Sequence, residues 1–167
     1  MFAFACFVLL AASRIQLADE IYQILVRRVA EALRVSRCSI VLARPGEESG
    51  TVVASYDNPA IRSLGVDLRR YPEIRHAMDT GEPVLIKDVA TDPLLNDIRG
   101  DWQAEGRDFP CRSAIVVRFS LREQPAGVFF LRATGDDLPL DAGDLQFVEQ
   151  VVTSAVGVVM ERVVPKA

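Results

Sequence analysis

The sequence is poor in the side chains from which metal and catalytic centres are usually built. It has a single histidine, His76, and three widely separated cysteines, Cys6, Cys38 and Cys111, without a CxxC pair. This number and spacing exclude a two-histidine metal site and indicate neither a structural zinc site nor a disulfide framework. No triad with a credible nucleophile can be assembled around His76. We therefore predict no metal ligands, no catalytic residues and a reducing, cytoplasmic location.

The chain also lacks an excess of positive charge and a long hydrophobic run. Its formal net charge is −4 and its sequence pI is near 5.1, which gives no electrostatic reason to expect nucleic acid. The apolar start MFAFACFVLLAA stops at Ser13-Arg14, short of the roughly 20 residues needed to span a bilayer, and no basic residue precedes it. We expect neither a membrane span nor a secretory signal, and predict that residues 1–14 form an apolar helical segment.

What the chain has is enough apolar sequence for one core, since half of its 167 residues are hydrophobic. We predict one domain over residues 15–164 and a tail at 165–167. A helix is predicted from Phe7 to Val35, which contains no Pro or Gly, and another from about Ala142 to Val163, capped by Asp141 or Asp144. Both carry apolar residues on two sides. We therefore predict a homodimer through these helices, with candidate interface residues Ile15, Tyr22, Leu25, Val148, Val152, Ala155 and Val159.

Between these helices the pattern predicts mostly short strands. A helix is expected from Pro72 to Gly81, because Pro suits a first helical turn, and the long polar segment after Val89 is expected to contain one or two helical turns at most. The strands are expected at 38–44, 51–56, about 65–68, 83–89, 112–121 and 125–134.

Three strings resemble those of one known family, the GAF domains of signal-transduction proteins. They are TGEPVLIKDVATDP (Thr80 to Pro93), RSAIVVRFSLREQPAGVFFL (Arg112 to Leu131) and DAGDLQFVEQVVTSAVGVVMER (Asp141 to Arg162), and they occur in the family's order. One departure is Arg118, which stands where the family usually has Pro in its "VPL" string.

This resemblance implies an α+β fold of the GAF type, which is related to PAS domains. Such a fold has an antiparallel sheet of about six strands, with the terminal helices on one face. On the other face, a short helix and a long loop form a pocket. The pocket candidates are Tyr71, Arg75, Trp102, Cys111, Arg112 and Ser113, because this region mixes apolar and polar side chains and covers the ligand in the family.

The ligand and cofactor stay unknown at this stage. The dispersed Asn-Lys-Phe-Asp-Glu signature of cyclic-nucleotide-binding GAF domains does not fit the chain, and neither Cys111-Arg112 nor Cys38-Ser39 matches the Cys-His pair that usually attaches a bilin.

The resemblance implies a non-enzymatic sensory domain of a bacterial signalling protein, of the histidine kinase, response regulator or diguanylate cyclase type. It would bind a small ligand and signal through its terminal helices to an output domain. Two alternatives remain: a dimerisation scaffold without a ligand, and an enzyme resembling the family's free methionine sulfoxide reductase, for which Cys111 would be needed.

Overall fold

The computed structural model describes residues 2–156 and 160–163, and the side chains of residues 16–156 and 160–162. In this part of the chain the helices are α1 (Phe2–Leu33), α2 (Pro72–Thr80), α3 (Asn96–Ala104), α4 (Ala142–Ala155) and α5 (Glu161–Val163). The strands are β1 (Arg37–Leu42), β2 (Ser49–Ser55), β3 (Leu64–Asp67), β4 (Val84–Ile86), β5 (Ser113–Leu121) and β6 (Gln124–Ala133). Each predicted strand is present, with ends that differ by a few residues at most.

The strands form one six-stranded sheet in the order β3-β2-β1-β6-β5-β4, and all neighbours are antiparallel. The first and last hairpins meet where β1 pairs with β6, for example Cys38 opposite Leu131. The predicted α+β fold with a six-stranded antiparallel sheet is confirmed.

Side-chain alternation along the strands divides the core between the two faces of the sheet. On β5, Ile115 and Val117 point into a core that α1 and α4 cover, whereas Ala114 and Val116 point into a second core beneath α2 and α3. Helix α1 buries Tyr22 and its neighbours at helical spacing against the first core. The predicted placement of the terminal helices on one face is therefore confirmed.

Local signals set the ends of α2. The helix begins at Pro72 and ends before Gly81, which adopts φ +75° at the C-terminal cap. A positive φ costs glycine little because it has no Cβ. Both ends agree with the prediction.

Helix α3 corrects the expectation of at most one or two helical turns in the long polar segment, because it extends over nine residues. The reason lies in its spacing. Leu95, Ile98 and Trp102 lie three and four residues apart and bury one apolar stripe against the sheet. Charged residues on the other side of the helix make the average composition of this segment polar, which conceals the stripe unless residues are compared at helical spacing.

The start of α4 uses both predicted capping residues. The Asp141 carboxylate accepts a hydrogen bond of 2.9 Å from the Asp144 backbone N–H, and the Asp144 carboxylate accepts one of 2.9 Å from the Asp141 backbone N–H. This reciprocal arrangement satisfies two donors at the helix start. Part of the predicted terminal helix, residues 157–159, lies outside the described residues. No helix in the described part of the chain combines the length and apolar character required to cross a membrane.

Candidate functional site

A small cavity of about 20 Å³ lies between the sheet and the helices α2 and α3. Its wall comes from the start of α2, from α3, from the loop that leads into β5, and from β4, β5 and β6. The lining residues are Tyr71, Glu73, Ile86, Val89, Leu95, Trp102, Pro110, Cys111, Ala114, Phe130 and Arg132. This volume accommodates about one water molecule.

Aromatic rings form much of the cavity wall. Tyr71 meets Phe130 edge to face, with ring centroids 6.0 Å apart and planes at 89°. The guanidinium carbon of Arg132 lies 4.8 Å from the centroid of the Phe130 ring, which is a cation–π arrangement. Trp102 lies on the opposite wall and contacts Phe109, with ring centroids 5.8 Å apart. The cavity therefore combines an aromatic lining with one fixed positive charge.

Glu73 places a carboxyl group in the same cavity. Its side chain is only 7% exposed, and its Oε2 atom has no hydrogen-bond partner. Burial raises the pKa of Glu73 to about 7, while its own backbone N–H and the charge of Arg132 act to lower it. A buried polar atom without a partner is costly, so native proteins rarely retain one.

Outside the cavity, beyond Pro110 and Cys111, lies an open groove of about 900 Å³. These two residues line both spaces, so they separate the groove from the cavity. The groove carries three basic and two acidic side chains, which are Arg37, Lys87, Arg112, Asp88 and Asp108. A molecule in the groove would need to displace the wall at Pro110 and Cys111 to reach Glu73.

Helices α1 and α4 cover one face of the sheet, and a small cavity lies beneath α2 and α3 on the other face. The sequence model of the GAF domain family matches residues 18–159. The chain belongs to the GAF domain family. A comparison with curated proteins returns no match.

Several solved structures are similar to this GAF domain. A fragment of a methyl-accepting chemotaxis protein, residues 122 to 287, superposes with a TM-score of 0.65 at 22% identity, covering 87% of this chain and 92% of that one. The blue-light absorbing form of the PixJ GAF domain of Thermosynechococcus elongatus gives a TM-score of 0.64 at 17% identity, covering 90% and 88%. A GAF domain/HD domain protein from Geobacter sulfurreducens gives 0.63 at 17% identity, covering 90% and 97%. At these identities the likeness is one of fold.

The structure brings together three of the six predicted pocket residues of this GAF domain. Tyr71, Trp102 and Cys111 line the cavity, whereas the exposed Arg112 lines the groove. Arg75 is half-buried on α2 and lines neither space.

Ser113 lies on the opposite face of the sheet from the cavity. Its buried hydroxyl accepts a hydrogen bond of 3.0 Å from the backbone N–H of Leu140. The reason is the alternation along β5: Ala114 faces the cavity, so Ser113 must face the terminal helices. Ser113 is therefore excluded from the cavity wall.

Sequence reasoning missed Glu73, Phe130 and Arg132. Glu73 follows Pro72 in a polar stretch, and nothing in that stretch marks it as buried. Arg132 could have been found from the sequence. It lies two residues after Phe130 on an otherwise apolar strand, and because side chains alternate along a strand, both must point at the same face.

The two cysteines whose side chains the structure describes lie on opposite faces of the sheet. Cys38 belongs to the core beneath the terminal helices, and Cys111 belongs to the core around the cavity. Burial raises the pKa of both thiols, that of Cys111 to about 11. Since the thiolate is the reactive form, the environment of Cys111 does not activate it.

The candidate dimer residues differ in their burial, and the dimer itself stays a prediction. Tyr22, Val148 and Val152 are buried within the core of a single chain, so they are not available to a second copy. Leu25 and Ala155 are half-buried, and the side chains of Ile15 and Val159 lie outside the described residues. Among the described side chains of α1 and α4, the exposed large apolar residues are Leu17, Ile24 and Phe147, at 45%, 43% and 36%.

Proposed function

We propose that this GAF domain is a non-enzymatic sensor of a bacterial signal-transduction protein, of the histidine kinase, response regulator or diguanylate cyclase type. The cavity beneath Trp102 and Cys111 binds a small molecule, and its occupancy changes the packing of the terminal helices on an output domain. The observation that carries the proposal is the buried Glu73, which lines this cavity and whose Oε2 has no hydrogen-bond partner. Such an atom is better satisfied by a ligand than by an empty space. A cytoplasmic location is part of the same proposal.

Ligand entry requires movement of α3 and the loop after it, because the closed cavity of about 20 Å³ is far smaller than the roughly 300 Å³ at which ligand pockets begin. One exposed ion pair joins this region to the chain before α2, since Glu105 bonds to Arg70 at 3.1 Å. Glu105 also bonds at 3.2 Å to Arg107, which belongs to the same loop. Exposed pairs of this kind contribute little to stability. Movement of α3 and the loop after it, which would break the pair between Arg70 and Glu105, therefore has a small cost in free energy.

A short physical route joins the cavity to the terminal helices. Two residues after Cys111, Ser113 accepts the hydrogen bond from the Leu140 backbone N–H. Leu140 immediately precedes Asp141, the capping residue of α4. A shift of Cys111 on ligand binding would therefore move the start of α4 through Ser113.

The proposal is tested by ligand screening on the purified chain. Trp102 is its only tryptophan and lies on the cavity wall, so tryptophan fluorescence reports on occupancy. The probes are cyclic nucleotides, haem, bilins and small metabolites, each followed by fluorescence and by thermal shift. A native-state ligand raises the melting temperature by mass action. If no probe alters either signal and native mass spectrometry finds no bound molecule, the sensor proposal fails.

A scaffold without a ligand is the second candidate, and the small volume of the cavity favours it. Here the domain only dimerises, through the exposed Leu17, Ile24 and Phe147 instead of the buried residues. Sedimentation of Leu17→Glu tests this contact, with Gln16→Glu as a matched control that adds the same charge at the neighbouring exposed position of α1. Loss of a dimer in both variants, or in neither, argues against this surface.

The reductase alternative finds no support in the described residues. It relies on several cysteines near the pocket, whereas Cys38 and Cys111 lie on opposite faces of the sheet. The domain is proposed to act without catalysis.

A further inference from the structure

Glu73 and Arg132 contribute a carboxyl group and a guanidinium to the lining of one cavity but do not satisfy each other. Both residues line the cavity, and Glu73 Oε2 and Arg132 Nε are buried atoms without hydrogen-bond partners. Among the side chains that the structure describes, the ion pairs join other residues. Arg132 is half-buried as a residue, but its Nε, like Glu73 Oε2, is a buried polar atom without a partner. Leaving such atoms unsatisfied is costly, so the arrangement is complementary to a guest that supplies both partners.

A guest with a single charge would not meet this requirement. An amine would satisfy Glu73 and leave the Arg132 Nε without an acceptor. A carboxylate would satisfy Arg132 and place a second negative charge beside Glu73, which raises the cost of ionising either group. A zwitterion satisfies both side chains and brings no net charge into the buried space.

The rest of the lining suits the body of such a molecule. Tyr71, Trp102 and Phe130 provide aromatic surface around the two charged groups, and Ile86, Val89 and Leu95 provide aliphatic surface. The few polar groups would orient the guest, and the apolar walls would take its side chain. Displacement of Trp102 and of the wall at Cys111 would give it room.

We propose that this cavity binds a small zwitterion of the α-amino-acid class, with its ammonium group on Glu73 and its carboxylate on Arg132. This inference rests on the proposed sensor function and names the class of its ligand.

The test uses the full chain and the proteinogenic α-amino acids, each titrated while the Trp102 fluorescence and the melting temperature are recorded. The best binder is then compared with its decarboxylated amine and its deaminated acid. The expected result is that both truncated probes bind at least about tenfold more weakly, because each leaves either Glu73 Oε2 or Arg132 Nε, both buried atoms, without a partner. An amine or an acid that binds as tightly as the amino acid would overturn the inference.

Variants assign the two contacts. Glu73→Gln and Arg132→Gln are each expected to weaken binding of the best amino acid at least about tenfold, and Arg132→Lys is expected to recover part of the loss, since it restores the charge without the planar guanidinium. The controls are Glu82→Gln and Arg27→Gln, which remove the same charges from exposed positions. Equal affinity in all variants would overturn the assignment. If one cavity variant does not fold, the comparison of the amino acid with its decarboxylated amine and its deaminated acid still tests the inference.

The outcomes separate this inference from the sensor proposal. If a nucleotide, haem or bilin binds in the cavity and no amino acid does, the zwitterion class is wrong and the sensor stands. If no probe of any class binds, and a crystal structure shows only a water between Glu73 and Arg132, both proposals fail.

Discussion

The guanidinium of Arg118 on β5 donates a hydrogen bond of 2.9 Å from Nη1 to the backbone carbonyl oxygen of Met78 near the end of α2. Carbonyls in the last turn of a helix have no partner within the helix, and a positive charge there also interacts favourably with the helix dipole. Pro, the residue that the family usually has at this position, could not provide this contact. The strand continues through this position, with Arg118 opposite Val128, and its register against β6 shifts only after Phe119.

Removal of this contact is expected to loosen α2, and with it the cavity wall. Arg118→Ala should lower the free energy of unfolding by about 1 kcal/mol, because it leaves the Met78 carbonyl without its charged donor. Urea denaturation measures the loss. Arg27→Ala, at an exposed position of α1, is the matched control. Equal losses in the two variants would show that the Met78 contact contributes nothing specific.

Gly81 is coupled to the same guanidinium. It has φ +75°, and a Cβ at this position would lie 2.5 Å from Nη2 of Arg118. Gly81→Ala should cost about 1–2 kcal/mol from the backbone alone, and more from the clash. In an Arg118→Ala background the cost should fall by at least about 0.5 kcal/mol, since only the backbone term remains.

The control for this pair is Gly100→Ala, in the exposed middle of α3, where an added Cβ meets nothing within 4 Å. That substitution should stabilise the protein by about 0.5–1 kcal/mol, because alanine favours helix. Strict additivity of Gly81→Ala and Arg118→Ala would contradict the coupling.

The stability of the domain should carry a pH signature from Glu73. Its folded-state pKa of about 7 lies above the ordinary value of 4.5, so between these values the folded chain holds a proton that the unfolded chain has lost. The contribution of Glu73 to stability therefore falls as pH rises through this window, by at most about 3 kcal/mol. Arg132 and Cys111 are the other titratable groups that interact with it.

Glu73→Gln removes this proton without removing the side-chain bulk. Relative to wild type, the variant should become steadily more stable from pH 5 to about pH 7 and level off above that, as measured by urea denaturation from pH 5 to pH 8. Glu82→Gln, at an exposed position just after α2, controls for the loss of a carboxylate. A stability difference between Glu73→Gln and wild type that does not change with pH would be incompatible with a buried, protonated Glu73.

Gly127 allows β6 to approach β1. A Cβ at this position would collide with the backbone carbonyl oxygen of Val41 and would contact the Leu42 Cα at 3.1 Å. Because backbone atoms of a central strand cannot retreat, Gly127→Ala should cost at least about 3 kcal/mol or prevent folding. Gly65→Ala on β3, where an added Cβ meets nothing within 4 Å, should change stability by no more than about 0.5 kcal/mol. Circular dichroism with thermal melting compares the two variants.

The thiol of Cys111 should react slowly. With its pKa raised to about 11, mainly by burial, it should be alkylated by iodoacetamide at pH 8 roughly a hundredfold more slowly than a cysteine in a short peptide. Mass spectrometry of a Cys6→Ser chain follows the modification, and the same chain in urea provides the fully reactive reference. Rapid labelling of Cys111 in the native protein would revive the reductase alternative.

The helices and strands of this domain were largely predictable because their signals are local. Pro72 and Gly81 bound α2, and Asp141 with Asp144 starts α4, since each acts within one helical turn. Helix α3 was underestimated because its apolar residues form a stripe only when they are counted at helical spacing. The dimer stays a prediction, although three of its candidates, Tyr22, Val148 and Val152, are buried within one chain. Periodicity identifies an apolar face and does not state whether the covering surface belongs to the same chain.

The sequence by itself determined where this chain forms helices and strands, and the family to which it belongs, because caps, turn residues and periodicity act between near neighbours. Only the tertiary structure decided which side chains share the cavity. The pairing of β1 with β6 and the packing of α2 on the sheet bring Glu73 and Arg132 together from distant parts of the chain. Because side chains alternate along β5, Ser113 lies on the opposite face of the sheet from Glu73 and Arg132. Burial and charge act through space, so the alternation along β6 indicates which face Arg132 points at but not that it meets Glu73 there.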